Sequence, residues 1–158
     1  MPLQLWQGRV LPEWLDYNGH MTEHRYLQAF GESSDALYER IGVDPRAAAE
    51  GAFYTLETHI RHVAECRVGT PLWTETEILA HDAKRLHLLH RLFDGVGKLL
   101  ATGEHLAIHV CHGSVAEVPA AMQACIAEIF AQQAADALPE GVGSVLKRPL
   151  AVSRPVRA

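Results

Sequence analysis

Four strand-like segments in close succession constrain the fold of this chain more than any other feature of its sequence. The segments are residues 53–64, 72–81, 85–94 and 99–111. Short turns separate them, and the Asp94-Gly95 step in the last turn is typical of a β-hairpin. Because short connections join antiparallel neighbours, the sequence predicts a meander of four antiparallel strands.

A long amphipathic helix is predicted before these strands, from about Thr22 to Ile41. Thr22 can cap the helix, and the carboxylate of Glu23 in its first turn suits the positive end of the helix dipole. Apolar residues recur on one face at helical spacing, and Gly42 can end the helix in a left-handed conformation. A helix followed by an antiparallel sheet favours a two-layer α+β fold in which the sheet wraps around the helix.

Smaller elements complete the predicted organisation. A short strand over residues 5–11 precedes the helix, and Pro119 opens a second helix after the strands. Residues 139–158 contain several prolines and glycines and are expected to form a loosely held tail. Since 158 residues suit one domain, we expect a single domain over residues 1–138 and a C-terminal tail over 139–158.

Composition excludes several classes of protein. The net charge is −5, whereas nucleic-acid-binding proteins usually carry a basic excess. No uncharged apolar run approaches the ~18 residues that a membrane span needs, and the N-terminus does not resemble a signal peptide. The three cysteines form no Cys-x-x-Cys pair, so the sequence favours a protein of the reducing cytoplasm without a disulfide framework.

The densest polar cluster lies immediately before the predicted helix, in residues 15–21. Asp16 precedes the helix by about one turn, so its carboxylate is expected to face the free N–H groups of the helix N-terminus. A carboxylate in this position can act as a general base or as a nucleophile, while the N–H groups polarise a carbonyl as an oxyanion hole. In the alternative interpretation, Asp16 and Asn18 only form a turn, since Asp-x-Asn-Gly is common in turns.

No other pattern in the sequence favours a metal, a cofactor or a different catalytic group. The ten histidines include no His-Glu-x-x-His motif, and pairs such as His59 and His62 fall on opposite faces of a strand. There is no Gly-x-Ser-x-Gly motif and no glycine-rich phosphate-binding loop. We therefore expect neither a metal site nor a cofactor.

Three segments together resemble the hotdog-fold acyl-CoA thioesterases, in particular the 4-hydroxybenzoyl-CoA thioesterase-like branch. The segments are residues 12–21, 58–69 and 99–104. In that branch an aspartate lies three residues before a glycine that precedes the central helix, and Asp16 and Gly19 have this spacing. The resemblance implies a hotdog fold, hydrolysis of an acyl-CoA thioester, and a homodimer or tetramer whose active sites lie between subunits.

The resemblance also implies roles for individual residues. Asp16 takes the place of the catalytic carboxylate, and both direct attack and activation of water remain open. The backbone N–H groups of Thr22 and Glu23 would hold the thioester oxygen. The residues that would shape the pocket around them are Asn18, Gly19 and His20. For the histidine, capping or packing is the alternative role.

Coenzyme A carries several phosphate charges, which an acidic protein must meet with a local basic cluster. Lys84 and Arg85 lie at the start of a predicted strand, where this family often places a basic pair. Arg61 is a weaker candidate. The alternative for the pair is a solvated turn.

Within the family, part of the sequence is similar to the betainyl-CoA thioesterases of bacterial carnitine breakdown. The similar segments are residues 16–30, 54–62 and 82–87. The similarity implies hydrolysis of betainyl-CoA to glycine betaine and CoA. A trimethylammonium group has no N–H, so aromatic faces or carboxylates must hold it. The candidates for this pocket are Trp14, Tyr17, Tyr26, Tyr54 and Glu57, with core packing as the alternative for the aromatic residues.

Other functions of the same fold stay open. The chain could hydrolyse another short or aromatic acyl-CoA, or bind acyl-CoA without catalysis. Hydratases and dehydratases of this fold use an aspartate with a histidine about five residues later in a loop. Here Asp16 and His20 are four residues apart and precede the central helix, which argues against that chemistry.

Overall fold

One long helix lies against a curled antiparallel sheet in the computed structural model of this chain. The structure describes residues 1–134, 137–138, 141–143, 145–146 and, for the backbone alone, 152–153. The helices are α1 (Glu23–Ile41) and α2 (Ala120–Gln133), with 3-10 helices at Pro12–Trp14 and Pro45–Glu50. The strands are β1 (Gln7–Arg9), β2 (Ala52–His62), β3 (Pro71–His81), β4 (Arg85–Asp94), β5 (Leu99–Cys111), β6 (Ser114–Val115) and β7 (Val152–Ser153). The predicted α+β fold is confirmed.

The order of the strands in the sheet is β1-β3-β4-β5-β2, with every pair antiparallel. Strands β3, β4 and β5 form the predicted meander. The prediction is wrong for β2, which pairs with β5 and not with β3. Residues 63–70 do not close a hairpin, because they carry the chain across the sheet past the N-terminus of α1. There the carbonyl of Cys66 accepts from Met21 N, and Gly69 N donates to the carbonyl of Val10.

The boundaries of α1 agree with the prediction, but the predicted side-chain cap at its N-terminus does not form. Gly42 ends the helix with φ +112°, the left-handed conformation that glycine adopts most easily. Thr22 occupies the N-cap position, yet its side chain forms no capping hydrogen bond. The second helix begins at Ala120, with Pro119 at the N-cap position and not inside the helix.

The middle of α1 approaches the sheet very closely. The ring of Phe30 lies over Gly103 of β5, and a Cβ built on that glycine would be 2.6 Å from Phe30 Cδ2. The same ring stacks on His90 of β4, with ring centroids 5.7 Å apart, and meets His105 edge-on at 6.1 Å. Only a glycine at position 103 allows this contact, which fixes the separation of helix and sheet.

Two buried histidines form a polar layer between α1 and the sheet. His90 is hydrogen-bonded through Nε2 to Ser34 of the helix at 2.8 Å and through Nδ1 to Thr76 at 3.0 Å. His105 Nδ1 lies 3.2 Å from the hydroxyl of Thr58. Burial lowers the pKa of His90 well below its ordinary value, and it lowers the pKa of His105 to about 4. Both rings are therefore neutral at pH 7.

The outer face of the sheet is partly covered by the C-terminal part of the chain. Leu138 and Val142 are buried against Leu79 and Leu89. The N–H of Gly143 donates to Glu104 Oε1 at 2.8 Å. Much of the predicted tail lies outside the described residues, so the boundary after residue 138 stays a prediction. All three cysteines of the chain are free, and no helix in the described ranges is long and apolar enough to cross a membrane.

Lowering the pH from 7 to 5 should lower the free energy of unfolding. The folded-state pKa values of His90 and His105 lie below the ordinary value of about 6.5, so at pH 5 the unfolded chain binds protons that the folded chain does not. The stabilisation from His105 is complete above about pH 6.5 and is lost as the pH falls toward 4. For His105 we expect the free energy of unfolding to fall by about 1–2 kcal/mol between pH 7 and pH 5, measured by denaturant unfolding, and His90 acts in the same direction.

A His105→Asn variant should show a smaller difference between pH 7 and pH 5 than the parent chain. A His24→Gln variant is the control, because His24 is exposed on α1. An unchanged pH dependence in His105→Asn would show that His105 does not contribute to acid sensitivity.

Candidate active site

The loop before α1 is closed by hydrogen bonds to Asp16. Its Oδ1 accepts from the N–H groups of Asn18 at 2.8 Å and His20 at 3.2 Å. The backbone adds a bond from Asp16 N to the carbonyl of His20 at 2.8 Å and one from Gly19 N to the carbonyl of Asp16 at 3.0 Å. Asp16 thus forms a turn, as the alternative interpretation holds. However, the turn uses one oxygen only, and Oδ2 accepts no hydrogen bond from any described residue.

Gly19 gives this loop its shape. Its φ is +76°, and a Cβ at this position would meet no atom within 4 Å. The left-handed backbone, and not a lack of space, therefore favours glycine here. This conformation reverses the direction of the chain, so that Met21 forms an isolated antiparallel bridge with Leu15.

The first turn of α1 supplies N–H groups beside the loop. The prediction for Thr22 is wrong, because its N–H donates to the carbonyl of Trp14 at 2.8 Å and is not available to a substrate. The N–H groups of Glu23 and His24 have no backbone acceptor among the described residues, as expected for the first residues of a helix. The candidate oxyanion hole therefore consists of Glu23, as predicted, and His24.

Residues 64–66 of the crossing segment form the opposite wall of the site, which the sequence analysis missed. The phenol of Tyr26 donates to the carbonyl of Ala64 at 3.4 Å and lies 3.8 Å from Cys66 Sγ. Glu65 Oε2 lies 3.3 Å from His20 Nε2. These residues fall inside the 58–69 motif, but their place beside Asp16 depends on the path of the crossing segment, which the motif does not reveal.

Negative charge is concentrated at this wall. Burial raises the pKa of the Tyr26 phenol above its ordinary value, the neighbouring Cys66 adds to the shift, and so do the carboxylates of Glu65 and Asp16. Tyr26 therefore stays protonated across the physiological range and acts as a hydrogen-bond donor. Its ring also packs edge-on against His62 of β2, with centroids 4.8 Å apart.

The three aromatic residues predicted to line the acyl pocket near Asp16 have different environments. Trp14 is 8% exposed in the core, and the guanidinium of Arg25 lies 5.4 Å from its ring centroid. Tyr26 is 4% exposed, and it reaches the site through its hydroxyl. Tyr17 is 98% exposed on the loop itself, so it alone of the three presents a whole ring to a ligand.

The remaining predicted site residues lie far from Asp16 within one chain. Tyr54 and Arg85 both pair with Ile108 at one end of the sheet, whereas His62 pairs with Ala101 at the end that holds Asp16. The eight residues from Tyr54 to His62 span about 26 Å at the usual rise of a strand. The predicted site residues that do not lie near Asp16 of the same chain are Tyr54, Glu57, Lys84 and Arg85.

The basic turn between β3 and β4 is built around Asp82. This carboxylate accepts from the N–H groups of Lys84 and Arg85, and the guanidinium of Arg85 binds it at 2.6 Å. Although burial opposes the effect, the bonds from Arg85 and Lys84 lower the pKa of Asp82. The turn borders a surface cavity of about 510 Å³ with Ile108. Lys84 is exposed, which leaves its ammonium available to a ligand.

Arg61 lies on β2 near the C-terminal part of the chain. A Cβ on Gly141 would approach its guanidinium to 3.1 Å. Arg61 pairs with Thr102, so it lies far from the basic turn and at the end of β2 that approaches the Asp16 loop. Within the described part of the chain, no three His, Cys, Asp or Glu side chains are grouped so that they could hold a metal ion.

A known protein family includes the segments that form this site. The model of the thioesterase-like superfamily matches residues 10–126, which include the Asp16 loop, α1 and strands β2 to β5. The chain belongs to the thioesterase-like superfamily. The loop and helix N-terminus described above therefore lie in the matched part of a thioesterase-like domain.

Two curated relatives illustrate the similarity. The chain is 46% identical over 92% of its length to the L-carnitine dehydrogenase/betainyl-CoA thioesterase of Agrobacterium fabrum, of which it covers 31%. It is 36% identical over 93% of its length to the betainyl-CoA thioesterase of Pseudomonas aeruginosa, of which it covers 96%. The chain thus spans about a third of the fused relatives and nearly the whole of the shorter one.

Solved structures confirm the hotdog thioesterase fold. A protein from Pseudomonas putida KT2440, provisionally assigned as a thioesterase, is 34% identical, with a TM-score of 0.81 over 94% of this chain and 98% of its own. A protein from Staphylococcus aureus solved in complex with CoA is 23% identical, with a TM-score of 0.84 over the same shares of the two chains. The second likeness concerns the fold alone.

Replacing Gly19 with Ala should destabilise the fold by about 1 kcal/mol, because a left-handed backbone is strained for any residue with a Cβ. Gly31 is the matched control. It lies inside α1, a Cβ there also meets nothing within 4 Å, and its φ is not positive. Gly31→Ala should therefore stabilise the chain by about 0.5–1 kcal/mol.

Both free energies come from denaturant unfolding of the two variants and the parent chain. Equal effects of the two substitutions would show that the conformation of the Asp16 loop does not depend on glycine.

Proposed function

We propose that this chain hydrolyses a small acyl-CoA thioester, and that its substrate is betainyl-CoA, which yields glycine betaine and CoA. One observation carries the proposal: among the described residues, Asp16 Oδ2 accepts no hydrogen bond, and the loop that holds it leads into a helix start where the N–H groups of Glu23 and His24 have no backbone acceptor. A carboxylate and an oxyanion hole are the two groups that hydrolysis of a thioester needs. The names of the curated relatives support betainyl-CoA as the ester.

In the proposed reaction, the substrate carbonyl oxygen accepts from the N–H groups of Glu23 and His24. The developing negative charge is then stabilised by fixed donors at the positive end of α1. Asp16 either removes a proton from an attacking water or attacks the carbonyl carbon itself, after which water hydrolyses the acyl-enzyme. In both cases water adds to the acyl carbon, the C–S bond breaks and the thiol of CoA leaves with a proton.

A second copy of the chain would complete the site. Strand β2 forms one edge of the sheet, and large apolar side chains are exposed along it and just beyond, namely Tyr54, Leu56 and Val63. Such an edge is a surface that proteins usually cover. Antiparallel pairing of two β2 edges about a two-fold axis would place the Tyr54 end of one copy beside the His62 end of the other.

This pairing would also bring the two halves of the ligand site together. Arg85 lies at the same end of the sheet as Tyr54, since both pair with Ile108. The basic turn of one copy would then approach the Asp16 loop of the other. We propose that Lys84 of this turn meets the CoA phosphates, with Arg85 in support, in a dimer or a tetramer built from such dimers.

The Asp16→Asn substitution should leave the fold intact and lower kcat for betainyl-CoA by about 10²–10⁴-fold, because the amide neither removes a proton nor attacks. The measurement is release of free thiol from betainyl-, acetyl-, aromatic and long-chain acyl-CoA. Asp44→Asn is the control, because Asp44 caps a short helix elsewhere in the chain.

Three outcomes distinguish hydrolysis of betainyl-CoA from hydrolysis of another ester and from binding without catalysis. Preference for betainyl-CoA that is lost in Asp16→Asn supports both the chemistry and the substrate. Preference for another ester keeps the thioesterase and discards betainyl-CoA. A wild-type chain that binds acyl-CoA without releasing thiol would contradict the proposal in favour of a binding module.

Lys84→Ala should raise KM for a CoA ester about three- to tenfold while leaving KM for the corresponding pantetheine ester unchanged, since only the former carries the nucleotide phosphates. Lys98→Ala is the control, because this exposed lysine lies at the other end of β4. Equal effects on both esters would remove Lys84 from phosphate binding.

A further inference from the structure

The shape of betainyl-CoA makes a strict demand on the site. A single methylene separates the quaternary nitrogen from the thioester carbon. When that carbon is within reach of Asp16, the trimethylammonium group lies next to the Asp16 loop as well. The group donates no hydrogen bond, so it must be recognised by negative charge or an aromatic face.

Within one chain, the carboxylate expected for this role lies far from the site. Glu57 lies on β2, about five residues from the His62 end that reaches the site, which is about 16 Å along a strand. Glu65 instead lies at the site itself. Its carboxylate is 3.3 Å from the His20 imidazole, and the backbone N–H of the same histidine binds Asp16 Oδ1 at 3.2 Å.

The charge on Glu65 is available to a ligand. In the described part of the chain, neither Glu65 nor Asp16 forms an ion pair with a lysine or an arginine. The side chain of Glu65 is 64% exposed, whereas that of His20 is only 24% exposed. The Glu65 carboxylate therefore lies close to the imidazole of His20 and is still largely accessible.

The same negative charge acts on a neighbouring group. Both Glu65 and Asp16 contribute to the raised pKa of the buried Tyr26 phenol, after burial and the effect of Cys66. The Asp16 loop and the crossing segment therefore each place a carboxylate near the Tyr26 phenol. A cationic acyl group between them would be attracted by both.

We propose that Glu65 is the specificity-determining residue that recognises the trimethylammonium group of the substrate. The inference rests on the proposed function and assigns one part of it to one side chain. Glu65 attracts the cation without touching the reacting carbon, and its carboxylate lies 3.3 Å from the imidazole of His20, a residue of the Asp16 loop. The cost of placing a cation near the helix N-terminus, where the dipole is positive, is offset in this way.

A neutral isostere of the substrate separates charge from shape. The ester 3,3-dimethylbutanoyl-CoA carries a carbon atom where betainyl-CoA carries the quaternary nitrogen, and the two are otherwise alike. The experiment compares kcat/KM for both esters in wild type, Glu65→Gln, Glu65→Asp and the control Glu39→Gln, an exposed glutamate near the C-terminus of α1. Unfolding measurements on each variant show that the fold is intact.

The wild type should prefer betainyl-CoA to the isostere. Glu65→Gln should lower kcat/KM for betainyl-CoA about two- to fivefold, as expected for a partly exposed charge pair, and leave that for the isostere unchanged. Glu65→Asp should restore most of the preference because it keeps the charge, and Glu39→Gln should change neither ester.

Other results would overturn the inference in distinguishable ways. If Glu65→Gln slows both esters equally, Glu65 supports the loop and does not read the charge. If Glu65→Gln changes neither ester, Glu65 has no part in recognition, and the proposed function survives when betainyl-CoA is still the preferred ester. If the wild type hydrolyses neither ester, the proposed function fails and this inference fails with it.

Discussion

The contact between Phe30 and Gly103 determines how closely α1 lies on the sheet, and the position of the site follows from it. Any side chain at position 103 would collide with the ring, and the collision would lift the middle of the helix away from β5. The histidine layer beside the contact reinforces it, since Ser34 on the helix is hydrogen-bonded to His90 on the sheet. A helix is rigid over its length, so a contact in its middle also places its N-terminus.

The N-terminus of α1 can form the candidate oxyanion hole because three segments of the chain meet there. The crossing segment binds the backbone of Met21 through Cys66, the 3-10 helix binds Thr22 through Trp14, and the Asp16 loop closes on itself. Each of these bonds uses a backbone group near the start of the helix, and the N–H groups of Glu23 and His24 are left without a backbone acceptor among the described residues. The candidate oxyanion hole is thus what remains after the surrounding chain has satisfied its own hydrogen bonds.

Local patterns in the sequence were sufficient to predict α1, strands β3 to β5 and the place of Asp16. Helical spacing, a C-terminal glycine, short turns and the Asp-x-Asn-Gly loop are all features of neighbouring residues. The pairing of β2 with β5 was not predictable in this way. Residues 63–70 are a short connection, which is typical of a hairpin, but in the folded chain they cross the curled sheet instead. The same crossing brings Glu65 to the site and leaves Tyr54 and Glu57 at a distance. Thr22 failed as an oxyanion donor for a related reason, since its acceptor, Trp14, comes from the tertiary fold.

A crystal structure with the ketone analogue of betainyl-CoA, in which a methylene replaces the sulfur, tests the central claim most directly. The account predicts the ketone oxygen within hydrogen-bond distance of the N–H groups of Glu23 and His24, with the carbonyl carbon facing Asp16 Oδ2. It also predicts that the phosphates lie beside Lys84 of a second copy. An acyl group bound away from the Asp16 loop would contradict the account.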